Sequence, residues 1–172
     1  HTGDIERDLV RGDVERARVH FERALDVCRA SADKRGQASA LWRLGEADLQ
    51  AGQLGAARDR LSDALRTFRP ADMWREMLDC LEDHAQLRLL DGDPAMAVRM
   101  AATITVVRQR LVLAHSPLAE AQWQRQLATL RDSVPDATFV ALWNEAWDHW
   151  EVDDAIRAAL EWRPPRTEAS GQ

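Results

Sequence analysis

Apolar positions recur along this chain at helical spacing, in blocks cut by Gly, Pro and Asp. Ala57, Leu61 and Ala64 stand at i, i+4 and i+7, one stripe of a helix. Ala17, Phe21 and Ala24, and Ala97, Ala101 and Ile104, repeat the same spacing. The pattern predicts a short helix to about residue 11 and a longer one over 13–32, then helices over 34–51, 54–68, 72–90 and 94–114. Further on it predicts helices from Ser116-Pro117 to about 132, over 136–150 and over 153–162. No segment alternates with period two between turn signals, so no sheet is expected.

The blocks are copies of one unit. Gly12, Gly52 and Gly92 lie 40 residues apart, as do Ala17, Ala57 and Ala97, and the two columns that follow them. A glycine after an apolar stripe marks a helix end in the left-handed conformation that a side chain resists. The next residue (Asp13, Gln53, Asp93) stands where a helix is capped, and Asp93-Pro94 is a strong start signal. The alanine five residues on lets paired helices approach closely. Arg69-Pro70 breaks one unit from the next, because proline cannot continue a helix.

Composition narrows the class. The 172 residues are 45% hydrophobic and 30% charged, an ordinary globular balance and enough for one sizeable core. A net charge of −6 weighs against nucleic acid and anionic membrane surfaces as direct partners. No apolar run approaches the roughly 18–20 residues that span a bilayer. The chain opens on His1 without a signal-peptide pattern, which reads as a piece of a longer cytoplasmic protein. Cys28 and Cys80 are too few for a disulfide framework.

The sequence carries no common catalytic signature. There is no Gly-x-x-x-x-Gly-Lys-Ser/Thr phosphate loop, no Gly-x-Ser-x-Gly and no His-Glu-x-x-His. His20, His84, His115 and His149 stand singly and read as surface or packing residues, and the cysteines as small buried hydrophobes. Asp91-Gly92-Asp93 fails as a calcium loop because Ala95, Ala97 and Val98 follow where oxygen ligands are needed. The acids Asp148, Glu151, Asp153 and Asp154 near His149 are explained by a helix start. No catalytic residue, metal site or cofactor is therefore expected. Trp143, Trp147 and Trp150 share one helix face, either a seal for the end of the repeat array or an aromatic anchor for a partner.

The stretch Ala40-Leu41-Trp42-Arg43-Leu44-Gly45, through Ala51-Gly52-Gln53-Leu54-Gly55-Ala56-Ala57, to Leu61 and Ala64-Leu65 resembles a tetratricopeptide repeat. It departs from the 34-residue pattern in its 40-residue period, in Asp48 at the Tyr column, and in a Pro that appears only at Pro70. The long period resembles the C-terminal repeat region of bacterial signalling ATPase regulators, LuxR-type activators and relatives linked to adenylate cyclase. The order Ser116-Pro117-Leu118, 127–130, Phe139-Val140-Ala141-Leu142-Trp143 and Asp153-Asp154-Ala155-Ile156 is similar to the end of those proteins.

The resemblance implies an all-α, tetratricopeptide-like α-α superhelix with a C-terminal helical cap. Residues 1–115 would form three helix pairs, 116–162 capping helices and 163–172 a disordered tail. The first helix of each pair would line a concave groove, which places Trp42, Glu46, Glu82 and Gln86 in it and Arg43 and Asp83 at its border. These residues carry more acids than bases, which suits a basic and apolar segment. The expected function is binding of a protein or peptide partner, an effector, or other domains of the parent regulator. The alternative is a structural or self-association module that holds the parent inactive or oligomeric.

Overall fold

The computed structural model describes residues 2–161, with side chains from residue 11 onward. It contains eight helices and, among the described residues, no strand. They are α1 (Thr2–Ala30), α2 (Lys34–Gln50), α3 (Leu54–Phe68), α4 (Trp74–Leu90), α5 (Pro94–Leu111), α6 (Pro117–Asp132), α7 (Asp136–His149) and α8 (Val152–Glu161). The all-α repeat architecture is as expected. The helix expected over 153–162 is α8; its last expected residue, Trp162, and the tail over 163–172 lie outside the described residues.

One expected break is absent. Helix α1 runs unbroken through Gly12 and Asp13, so five helices, not six, precede the α5–α6 link. Gly12 closes no turn, and Asp13 lies at 3.9 Å from Arg16 one turn on, inside the helix it was expected to cap. A single glycine costs a helix interior only about 1 kcal/mol, which a 29-residue helix absorbs.

The 40-residue period is nevertheless a property of the backbone. Gly52 and Gly92 both have positive φ (74° and 84°). Around them the same bonds recur, Gln53 N–H to Asp48 O and Asp93 N–H to Arg88 O. A second turn repeats on non-glycine residues: Ala32, Asp72 and Val112 all lie in the left-handed region at φ 56°, 54° and 55°. There Asp33, Met73 and Leu113 donate to the carbonyls of Cys28, Phe68 and Arg108. The repeat thus continues beyond the glycines, in columns where no residue type announces it.

Start signals act as expected at two helices, where Asp93 accepts from Met96 N–H and Ser116 from Ala119 N–H. Helix α2 has a cap that the repeat columns did not single out, Asp33 accepting from Gly36 N–H. In the column of Asp13, Gln53 and Asp93 only Asp93 caps with its side chain: Gln53 makes no side-chain cap and Asp13 lies inside α1. The core follows the alanine column. Ala57, Leu61, Ala64, Ala97, Ala101 and Ile104 have no exposed surface. At Gly45 the α2 backbone comes so near α3 that an added Cβ would lie 2.6 Å from Leu61 Cγ.

Asp48, at the column expected to hold Tyr, is wholly buried. It accepts from Arg18 of α1 at 2.8 Å and from Arg60 of α3 at 2.9 Å, binding three helices through one carboxylate. Two guanidiniums offset the cost of burying that charge. Trp143, Trp147 and Trp150 are half-buried and pack against the main core, with the Trp143 and Trp147 rings stacked at 6.2 Å. Helix α8 is held by arginines at its carbonyl end, Arg88 reaching Ala158 O and Arg58 reaching Leu160 O.

Candidate functional site

The first helices of the repeats, α2 and α4, lie side by side, and α6 stands across from them. Between the three is an open cavity of about 690 Å³. All six residues expected in the groove line it: Trp42, Arg43 and Glu46 from α2, and Glu82, Asp83 and Gln86 from α4. They converge because positions three and four apart share a helix face.

The indole of Trp42 is only 8% exposed. It packs edge-on against Phe68 at 6.3 Å and donates its Nε1–H to Asp83 at 2.7 Å. The Arg43 guanidinium lies over its ring at 4.2 Å and pairs with Glu46 at 2.9 Å. Trp42 therefore forms the floor of the groove. Its hydrogen bond draws Asp83 in from the border where the repeat pattern puts it. Burial and the adjacent Glu46 carboxyl push Asp83 well above the usual carboxylate range, although the Trp42 hydrogen bond opposes them.

A second cluster closes the end of the groove. Arg108 is 7% exposed and donates to Asp79 at 2.6 Å, to Glu82 at 3.1 Å and to Leu113 O at 3.2 Å. His115 lies between Glu82, on its Nε2, and Glu120, on its Nδ1. Gln126 of α6 donates to Glu82 O at 2.9 Å. Burial raises the Glu82 carboxyl, against the pull of Arg108 and His115. These contacts fix the α5–α6 link and the position of α6.

Asp79, Glu82 and His115 lie close enough together to hold a metal ion. The Arg108 guanidinium, bonded to both carboxylates, already occupies the role a cation would take there. Among the described residues of the cavity no hydroxyl or thiol is paired with a His ring. Both His115 nitrogens face carboxylates, and Ser116 Oγ caps α6.

Sequence reasoning missed Arg108, Asp79, His115 and Arg125, which also line the cavity. One signal was available. At the 40-residue period Arg108 falls in the column of Cys28 and Phe68, and a base in an apolar column calls for buried acids. Acids outnumber bases among the six expected residues, but the whole lining is charge-mixed, because Arg75 of α4, Arg108 of α5 and Arg125 of α6 also contribute to it.

Residues 8–69 match the family profile described as tetratricopeptide repeat. The match spans α2, α3 and most of α1, and repeats of this kind are non-catalytic and mediate protein–protein interaction. No curated protein and no solved structure matches the chain significantly. Among the described residues no helix is long and apolar enough to cross a membrane.

Proposed function

We propose that this chain is a protein-binding module whose groove between α2, α4 and α6 receives a segment of a partner, or of another domain of a longer parent chain. One observation carries the reading. Six residues separated by up to 44 positions in sequence converge on a single open cavity with polar, charged and apolar surface. A solenoid offers such an extended concave surface because each repeat contacts only its neighbours and rotates slightly against them. The parent that fits best is a bacterial LuxR-type or adenylate-cyclase-linked signalling ATPase regulator. Its support is the long repeat period and the order of motifs from Ser116-Pro117-Leu118 to Asp153-Asp154-Ala155-Ile156.

Photo-crosslinking from opposite walls tests the groove. A crosslinker at Gln86 of α4 and one at Gln122 of α6 should trap the same protein in the source cells. One at exposed Asp63 of α3, which does not line the groove, should not. Equal trapping from all three positions would refute the assignment.

A further inference from the structure

Most charges in the groove are answered within the chain. Arg108 serves Asp79 and Glu82, His115 serves Glu82 and Glu120, and Arg43 serves Glu46. Arg75 donates to the carbonyl of Ala114 at 3.1 Å. Two charges remain. Among the described residues Asp83 has no basic partner; it takes the Trp42 N–H at 2.7 Å. Arg125, exposed on α6, has no acidic partner, although both residues line the same cavity.

We propose that the groove is a two-pole clamp. A Lys or Arg side chain of the partner segment enters between Asp83 and Glu46, and an Asp or Glu of the same segment meets Arg125. The inference rests on the reading of the groove as a docking surface and names the chemistry of its occupant.

The physical argument is complementarity. Asp83 and Glu46 line the same cavity, and among the described residues the chain gives Asp83 no cation. Trp42 Nε1–H holds one oxygen of Asp83, so the acid is positioned before anything binds. A guanidinium can donate to both carboxyls at once. The opposite wall carries the opposite charge, which sets the direction in which a segment lies. A protein segment fits better than a free zwitterion because the lining also carries Leu49, Leu89 and Leu90. Leu90 is 53% exposed at the edge, apolar surface that side chains along a segment would cover.

The experiment is selection of peptides from a random display library on the intact chain, followed by affinity measurements on variants that melt as the parent does. Enriched peptides should combine a Lys or Arg, an Asp or Glu, and apolar residues. Asp83→Asn keeps an acceptor for Trp42 and should weaken them about tenfold or more, the effect of losing a charge-assisted hydrogen bond. Arg125→Glu should weaken them too, and exchanging the peptide's acid for Lys should restore binding. Peptides that crosslink to Gln86 yet bind Asp83→Asn and Arg125→Glu unchanged would overturn the clamp and leave the groove reading standing. Absence of any groove-dependent peptide would overturn both. Saturable, Asp83-dependent binding of free arginine with no peptide enriched would give the cavity to a small effector and overturn the clamp.

Discussion

Acidification should destabilise this protein through one side chain, His84. Its ring is 2% exposed in the helical core, and its Nε2 has no hydrogen-bond partner among the described residues. Burial holds the imidazole neutral and lowers its pKa from 6.5 to about 4; a bond to the Leu61 carbonyl opposes the shift without reversing it. The unfolded chain takes up a proton near pH 6.5, and the folded one resists until about pH 4. Between these values the unfolded state binds more protons, so stability is full above 6.5 and falls as pH drops towards 4. A shift of this size corresponds to about 3 kcal/mol in total, a large part of a domain's stability.

The raised carboxyls Asp83 and Glu82 act in the opposite sense. Groups whose folded pKa is raised contribute stability at low pH and lose it as pH rises through the folded value. His84→Leu separates the two effects, since it removes the imidazole and leaves the carboxyls. Urea denaturation followed by far-ultraviolet circular dichroism measures both proteins across the range. The stability difference between variant and parent should shift in favour of the variant by about 2–3 kcal/mol between about pH 7 and pH 4.5. A difference that stays constant with pH would refute a buried neutral His84.

Three further outcomes follow from named contacts. Asp48→Ala should cost about 3 kcal/mol in urea denaturation, because Arg18 and Arg60 lose the one carboxylate they share; Asp48→Asn should recover only part of it. Gly45→Ala should destabilise by about 1 kcal/mol or more, although alanine favours a helix by about that amount, because its Cβ meets Leu61; an unchanged or higher Tm would show that α2 and α3 can separate without cost. Ala57→Leu or Ala97→Leu should cost about 1–3 kcal/mol through overpacking, and unchanged melting in both would sink the repeat register.

The sequence by itself determined the repeat, because its cause is local and recurrent. A left-handed residue ends a helix at Gly52 and again at Gly92, and small residues at Ala57 and Ala97 admit a neighbouring helix at close range. Helix α3 has the bounds that its apolar stripe predicts, and α6 begins where Ser116-Pro117 signals it. The same logic failed at Gly12, since a glycine permits a turn without forcing one, and whether the helix continues depends on the rest of the chain.

The groove divides along the same line. Trp42, Arg43, Glu46, Glu82, Asp83 and Gln86 share helix faces, and helical periodicity alone brings each set together. Which charge meets which is a matter of tertiary structure. Arg108 reaches Asp79 and Glu82 only because α5 packs beside α4, and Arg125 faces the cavity only because the His115 link places α6 across from it. Those pairings span 26 to 44 residues and follow no period, so no sequence pattern encodes them. Burial then decides their consequences. The same imidazole or carboxyl that titrates ordinarily in water is held neutral at His84 and raised at Asp83, because desolvation depends on what surrounds the group once the helices have packed.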